Sequence, residues 1–436
     1  MKPTQRNHEV IAMKFVDVYS RFGQGSLSCA EASAILGVSL STFFRMRTKY
    51  DAEGLEGLVD HRVGRLSDKR IPSDEAMKII ALYKTTYPDF TVKHFHEHLA
   101  SVGITRSYTS VKTILQQANV VRKAPRRGAH RRKRERKPLP GMMLHQDGSK
   151  HEWVPGKLWD LIVTMDDATS EIYSMFFVPE EGTQSSMMGM YEVISKHGLP
   201  CSLYVDRGSH YFTTPIAGGK VDRVHTTQFG RAMKQLNIEL IPSYCPQGRG
   251  RSERMFGTLQ KRLPQELRLK GITDMEEANT FLREEYMSKH NQQFAVKASE
   301  EGSAFVPYTG SSLEDILCTI DERRVGNDNT ISFKNHKIQI NQDKVRYHYA
   351  QMTVHVHTYL NNAVSVFYGP RRLSIELLSS QESDPPKQCS APSSVMTEDH
   401  PHAASQVSAL PCYALDWLPS GMVQLRHDDG SEAMAS

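Results

Sequence analysis

Residues 157–179, KLWDLIVTMDDATSEIYSMFFVP, read as two strands folded back on one another. An apolar run from Leu161 to Met165 meets Asp166-Asp167-Ala168-Thr169, which is turn chemistry, and aromatic and apolar residues resume from Ile172 to Val178. Upstream, MMLHQDGS (142–149) supplies a third strand. Downstream, residues 183–197 read as a helix, SLYVD (202–206) as a short buried strand, Thr227 to Leu236 as a helix, and Ile238 to Pro242 as the next strand. Three antiparallel strands followed by alternating helix and strand predict an α/β domain with a mixed sheet over residues 141–307.

The rest of the chain is arranged around that domain. At 436 residues, 39% hydrophobic and 24% charged, the chain suits a multidomain protein of ordinary globular composition. No apolar run is long enough to span a bilayer, and MKPTQRNHEV lacks a signal-peptide core, so a cytoplasmic, nucleoid-associated location and no membrane partner are expected. The six cysteines (29, 201, 245, 318, 389 and 412) form no CxxC pair, against a disulfide framework or a zinc ribbon. Net charge is only +5, but residues 122–137 are dense in Arg and Lys, a pattern suited to nucleic acid.

Residues 1–65 predict an all-α helix-turn-helix module. Ser28 and Glu31 form an S-x-x-E capping box, Gly37 ends that helix, and Ser39 or Ser41 starts a second one carrying Thr42, Arg45, Arg47 and Lys49. An ordinary helical hairpin has the same outline, but the basic, hydroxyl-rich second helix favours DNA. Residues 66–121 predict a second module of three helices, with Arg106, Tyr108 and Lys112 available to DNA. Its His94 and His98 stand four apart. With no cysteine or acidic partner at a fitting spacing, they read as a solvated helix face rather than a metal site. The run 122–140 cannot pack a core and is expected to be a linker that tracks phosphates through Arg126, Arg127, Arg131, Arg132 and Lys133. Residues 313–378 alternate apolar and polar positions as in a small β-barrel, and 379–436 read as a disordered tail.

Three carboxylates stand out by context. Asp147 is expected at the end of the first strand, Asp206 at the end of the strand SLYVD, and Glu253 is expected to open a helix after the arginine-rich turn QGRGRS (247–252). Phe256, Leu259 and Leu263 give that helix its apolar stripe, and Arg249, Arg251, Arg254 and Lys261 are candidates for DNA contact. Strand ends and helix starts meet on one rim of an α/β sheet, so the three carboxylates can converge as ligands for Mg²⁺ or Mn²⁺, as a pair of ions. Each has a plainer reading: Asp147 as a turn residue, Asp206 as a loop cap, Glu253 as a partner of Arg249 or Arg251. Asp160, Asp166 and Asp167 are left out of the site because the Asp-Asp-Ala-Thr run is turn chemistry first.

The segments HQDGSKHEW (145–153), YVDRGSHYF (204–212) and SYCPQGRGRSERMFGTLQKRLPQELRLKGI (243–272) resemble the DDE catalytic core of the retroviral integrase superfamily, and most closely bacterial insertion-sequence transposases of the ISNCY group. The resemblance covers most of residues 1–378. It implies a ribonuclease H-like, five-stranded mixed sheet with Asp147 on its first strand, Asp206 just after the fourth, and Glu253 on a following helix. It also implies two reactions: hydrolysis at an element end, then attack of the freed 3′-hydroxyl on target DNA, by a homo-oligomer and without a nucleotide cofactor. Asp206 and Glu253 stand 47 positions apart, longer than is common in the superfamily, and residues 215–227 are expected to form the extra loop. A DNA-binding regulator that has lost catalysis, or a nuclease that cuts without joining, are the competing readings.

Overall fold

The antiparallel meander expected from residues 142–179 forms one side of a five-stranded sheet in the computed structural model, whose described residues are 3–58, 71–123, 134–214, 219–222, 224–244, 246–310, 312–378 and 423–424. The chain divides into two compact units. One comprises residues 1–86 and 109–121, the other 87–108 and 122–436.

The first unit is helical: α1 (Pro3–Gly23), α2 (Cys29–Leu36), α3 (Leu40–Glu53) and α4 (Ser73–Thr85), with most of α6 (Tyr108–Gln117). The capping box is made as expected. The Ser28 side chain accepts from the Glu31 N–H, and Glu31 reaches back to the Ser28 N–H. Gly37 ends α2 at φ 66°, a left-handed conformation that glycine adopts without strain, and Ser39 is the residue that caps α3. Phe15, Val18, Ala32 and Phe43 form the core of this three-helix arrangement.

The second unit contains α5 (Val92–Leu99), so the expected second helical trio is divided between the two units rather than forming one module. Its main sheet has the order β3-β2-β1-β4-β5, with β1 (Leu144–Val154), β2 (Lys157–Asp166), β3 (Ile172–Val178), β4 (Ser202–Val205) and β5 (Glu239–Pro242). The first three are antiparallel neighbours, β4 runs parallel to β1, and β5 parallel to β4. This is the mixed five-stranded arrangement that the resemblance implied.

Both faces of the sheet are covered, because successive strand residues point to opposite sides. Ile162, Phe176 and Leu203 pack with α7 (Thr183–His197) and α8 (Gln228–Gln235). Leu161, Val163, Met165 and Phe177 pack with α9 (Pro246–Leu259), α10 (Leu263–Lys270) and α11 (Met275–Phe281). The edge strand β3 would leave backbone groups unpaired under those helices. Asn279 and, from α12 (Met287–Phe294), Asn291 satisfy them: each side-chain amide accepts from and donates to one β3 residue, Phe177 and Ile172 respectively.

Residues 319–378 hold β6 (Thr319–Arg324), β7 (Thr330–Phe333), β8 (His336–Ile340), β9 (Thr353–Thr358), β10 (Ala363–Tyr368), β11 (Arg371–Leu373) and β12 (Ile375–Leu378). The expected barrel does not close. Strands β11-β10-β9-β6 form one sheet, joined at β10 by β13 (Val423–Gln424), and β12-β8-β7 form another. Ile331, Ile338, Val354 and Val366 from the two sheets share one core. Alternating burial is the same in a barrel and in two packed sheets, so the sequence pattern does not separate them. Apart from Val423 and Gln424, which pair with β10, the expected tail lies outside the described residues.

Candidate active site

The parallel ladder between β1 and β4 pairs Leu144 with Leu203 and His145 with Tyr204. Carrying that register two residues further brings position 147 level with position 206, one residue beyond the end of β4, and the Asp206 charge acts on Asp147. Neighbouring strands are about 4.8 Å apart, so the two carboxylates start side by side. Asp147 does not end its strand as expected but lies within β1, opposite Val163, because the hairpin with β2 carries the strand on to Val154; β4 ends at Val205, so Asp206 begins the loop beyond it. The Asp206 Oδ1 accepts from the Gly208 N–H at 2.8 Å, so the loop-capping reading of this residue is also realised.

The third carboxylate arrives on α9. That helix begins at Pro246, so QGRGRS is helical rather than a turn, and Glu253 sits in its second turn instead of opening it. Met255, Phe256 and Leu259 bury one face of α9 against the sheet, which leaves Glu253 exposed on another. Arg249 precedes Glu253 by one helical turn and so shares its face. Its guanidinium donates to both oxygens of Asp147 at 2.6 and 2.7 Å. Asp147, Asp206 and Glu253 all act on the Arg249 charge, and hydrogen bonding to Asp147, against the cost of burial, raises its pKa further. Arg249 is thus the cation among the three acids.

Asp147 is buried, and its carboxyl is raised to about 6. Burial is the main cause; Arg249 opposes it, and the charges of Glu181 and Asp206 add to it. Glu181 was not singled out from the sequence. It stands between β3 and α7 and packs where a side chain on Gly148 would go: a Cβ there would meet its Oε2 at 2.2 Å. His210 Nε2 lies 3.5 Å from Glu181 Oε1. A carboxylate in the link between a core strand and a helix, as in Glu180-Glu181 before α7, was the available signal. Among the described residues, the oxygens of Asp147, Asp206 and Glu253 do not all lie within 4.8 Å of one another; the group that does meet this measure is His94, His98 and Glu266.

Close approach of α9 to the sheet depends on one glycine. A Cβ on Gly248 would meet the Tyr204 hydroxyl at 2.0 Å, and that hydroxyl donates to Ser243 Oγ at 2.8 Å. We expect Gly248→Ala to displace α9, and a shift near 1 Å is enough to lower a reaction at this site roughly 10- to 100-fold. Tyr204→Phe in that background should restore part of the original position and activity. An unchanged rate for the single variant would show that this approach is unimportant.

The other expected DNA contacts divide. Arg251 is almost covered and is bound to Asp167, so the duplex contact expected of it is corrected to an internal ion pair. Asp167 also accepts from Arg134, from His145 Nε2 at 2.7 Å and from the Lys137 N–H at 2.8 Å. Burial alone would raise its pKa, but these hydrogen bonds and the His145 and Arg251 charges hold it well below the usual carboxylate range. Asp166 behaves as turn chemistry should: its Oδ2 accepts from the Thr169 N–H and hydroxyl, and its Oδ1 from the Gly141 N–H. Asp160 accepts from the Glu181 N–H at 2.8 Å. Arg254 and Lys261 remain exposed. On α3, Arg45 is exposed, Thr42 shares a hydrogen bond with Ser39, and Arg47 pairs with Asp51 at 3.5 Å. Arg106 and Tyr108 are exposed and Lys112 is half-buried. Arg126, Arg127, Arg131, Arg132 and Lys133 lie outside the described residues, as do 215–218 and Arg223 of the expected extra loop.

His94 and His98 depart from the solvated-face reading. His94 is buried, and its Nε2 lies 2.7 Å from Glu266 Oε1; His98 Nε2 lies 2.9 Å from the same oxygen. The acidic partner missing from the local spacing comes from α10.

Residues 22–76 match a family model described as winged helix-turn helix. Over longer stretches the chain is similar to the putative transposase y4bF of Sinorhizobium fredii, with 29% identity over 358 residues, covering 80% of this chain and 77% of that protein. It is also similar to the transposase for insertion sequence IS1202 of Streptococcus pneumoniae, with 28% identity over 414 residues, 85% of this chain and 88% of that one. Among solved structures, the simian T-cell lymphotropic virus intasome in complex with a PP2A regulatory subunit aligns at TM-score 0.31 and 14% identity, over 63% of this chain and 97% of that chain. The HTLV-2 integrase catalytic core domain in complex with magnesium, in its trimeric form, aligns at TM-score 0.26 and 16% identity, over 33% and 82%. The resemblance to insertion-sequence transposases therefore holds over most of the chain.

Proposed function

We propose that this chain is a DDE-type DNA transposase whose Asp147, Asp206 and Glu253 hold two divalent cations, Mg²⁺ or Mn²⁺, at the ends of its own insertion sequence. The observation that carries this reading is the strand register that sets Asp147 beside Asp206, with Glu253 on the helix facing them and one guanidinium among the three. Oxygen-only donors suit hard cations. The donors also fit the group on electrostatic grounds: burial and two neighbouring acids raise Asp147, so this cluster is stabilised by positive charge, which Arg249 now supplies. Held by these three carboxylates, the cations would supply activation of the attacking oxygen and stabilisation of the leaving oxygen of a phosphodiester.

The chain's own groups do the rest. Arg249 must leave Asp147 before that carboxylate can serve as a ligand, and below about pH 6 a proton must leave it as well. Arg249 is then free to face DNA phosphate, with exposed Arg254 and Lys261 further along. Water cleaves one phosphodiester at the element end and frees a 3′-hydroxyl. That hydroxyl attacks a target phosphodiester, so one P–O bond forms as the target's bond to its 3′-oxygen breaks; the attacking hydroxyl gives a proton to solvent and the departing 3′-oxygen takes one up. Bond energy is conserved in the second step, so no nucleotide cofactor and no covalent enzyme intermediate are needed.

A joining assay tests the reading: a labelled duplex bearing the element end, a target plasmid, Mg²⁺ and protein. Joined product is expected. Binding without cutting would favour a regulator, and cutting without joining a nuclease.

Two further results are expected. Because Asp147 is raised to about 6, protons compete with the cation below that pH. The Mg²⁺ concentration for half-maximal cleavage should therefore rise as pH falls below about 6, by up to roughly tenfold per unit for one displaced proton. A flat Mg²⁺ requirement across that range would contradict it. Deletion of residues 1–86, which spares α5 and its contacts to α10, should remove preference for the element end and leave weak binding that fades with salt, through the basic run 122–137. Retained end preference in footprinting would locate recognition elsewhere. The proposed assembly is a homo-oligomer on paired ends.

A further inference from the structure

His94 and His98 stand one turn apart on α5, and both aim Nε2 at a single oxygen of Glu266 on α10, at 2.7 and 2.9 Å. The three potential ligand atoms all lie within 4.8 Å of one another. We infer that His94, His98 and Glu266 form a second metal site, separate from the acidic cluster around Asp147, that takes Zn²⁺.

Two imidazoles and one carboxylate are a borderline donor set, suited to Zn²⁺ and poorly suited to Mg²⁺. The site is built rather than incidental. The His94 ring stacks on Phe90 at 4.2 Å, and His98 meets Phe90 edge-on at 5.4 Å, so both rings are held in orientation. The helices are fastened on either side of the cluster by Arg262 with Glu97 at 2.6 Å and Arg268 with Asp89 at 2.7 Å. The ligand atoms are therefore brought together before any ion arrives.

As a hydrogen-bonded group alone, the cluster is poorly satisfied. Both rings must direct an N–H at the same oxygen, which also takes Lys289 Nζ at 3.2 Å, while His94 Nδ1 stays buried without a partner. One divalent cation bound by both ring nitrogens and the carboxylate replaces that crowding of donors. Lys289 is 58% exposed and can withdraw to water, and His98, at 17%, leaves a side from which a water ligand can complete a tetrahedron. The ion would tie α5 to the helix that follows α9. This does not depend on the transposase reading.

The test uses the full chain carrying Asp147→Asn, Asp206→Asn and Glu253→Gln, so that the acidic cluster contributes no metal. After chelator dialysis, Zn²⁺ is titrated against a chromophoric chelator, and Co²⁺ is added separately to read visible absorption. About one Zn²⁺ per chain and a tetrahedral Co²⁺ spectrum are expected, both lost on adding His98→Gln or Glu266→Gln. Lys289→Met, at an exposed position, should tighten Zn²⁺ binding by roughly three- to tenfold through loss of a repelling charge. Absence of Zn²⁺ binding, binding unaffected by His98→Gln, or equal affinity with and without Lys289 would each overturn the inference. The Lys289 comparison decides the matter even if a ligand variant fails to fold.

Discussion

Glu253→Gln is expected to lower both end cleavage and strand transfer on the order of 10³-fold or more, with binding to end DNA unchanged. The substitution keeps the size of the side chain and removes only the charge that a cation requires. Glu253 is exposed on α9 and is not needed to bury that helix, whose packing rests on Met255, Phe256 and Leu259. Loss of activity without loss of folding is therefore the expected signature. Asp147→Asn and Asp206→Asn should behave alike in chemistry but differ in stability. Asp147 is buried against Arg249, and its neutral amide would leave that guanidinium without its partner, whereas the Asp206 side chain could still accept from the Gly208 N–H. Combining two of the three should cost little more than one, since residues that act as a unit are not additive. Activity within tenfold of wild type in Mg²⁺ for any one variant would remove that residue from the site.

Asp167→Asn should be the most destabilising of the polar substitutions near the site, by roughly 3–5 kcal/mol, because it leaves buried cationic partners uncompensated. Its carboxylate accepts from Arg134, Arg251, His145 and the Lys137 N–H, and is fully buried. For a unit of this size the melting temperature should fall by about 10 °C. The pH dependence has a definite sign. The folded pKa of Asp167 is depressed, so its contribution is present above the ordinary carboxylate value and is lost as pH falls through the lower folded value. The variant should therefore approach wild-type stability only in strong acid. Asp167→Leu with Arg251→Met removes both charges, and this double variant should melt above Asp167→Asn. A loss below about 1 kcal/mol for Asp167→Asn would mean that these contacts are no better than surface pairs.

Local patterns in the sequence carried the elements well. The Ser28–Glu31 capping box, the turn chemistry of Asp166, and the strand alternation from 142 to 178 are each short-range relations between residues a few positions apart. Such relations act before any tertiary contact is made, so they are readable in one dimension. The failures are equally specific. QGRGRS read as a turn because two glycines weaken a helix, but packing of α9 on the sheet, with Gly248 against Tyr204, overrides that propensity.

By itself, then, the sequence determined the mixed sheet, the helix-turn-helix region and the order of the three carboxylates, because the first two are written in periodicity and caps and the third in the chain itself. Tertiary structure decided the partners. Arg249 meets Asp147 across 102 positions, Arg251 meets Asp167 across 84, and His94 meets Glu266 across 172. No spacing rule reaches that far. A charged side chain selects among distant partners only once packing has removed it from water, and which of them it meets is fixed by how the helices lie on the sheet.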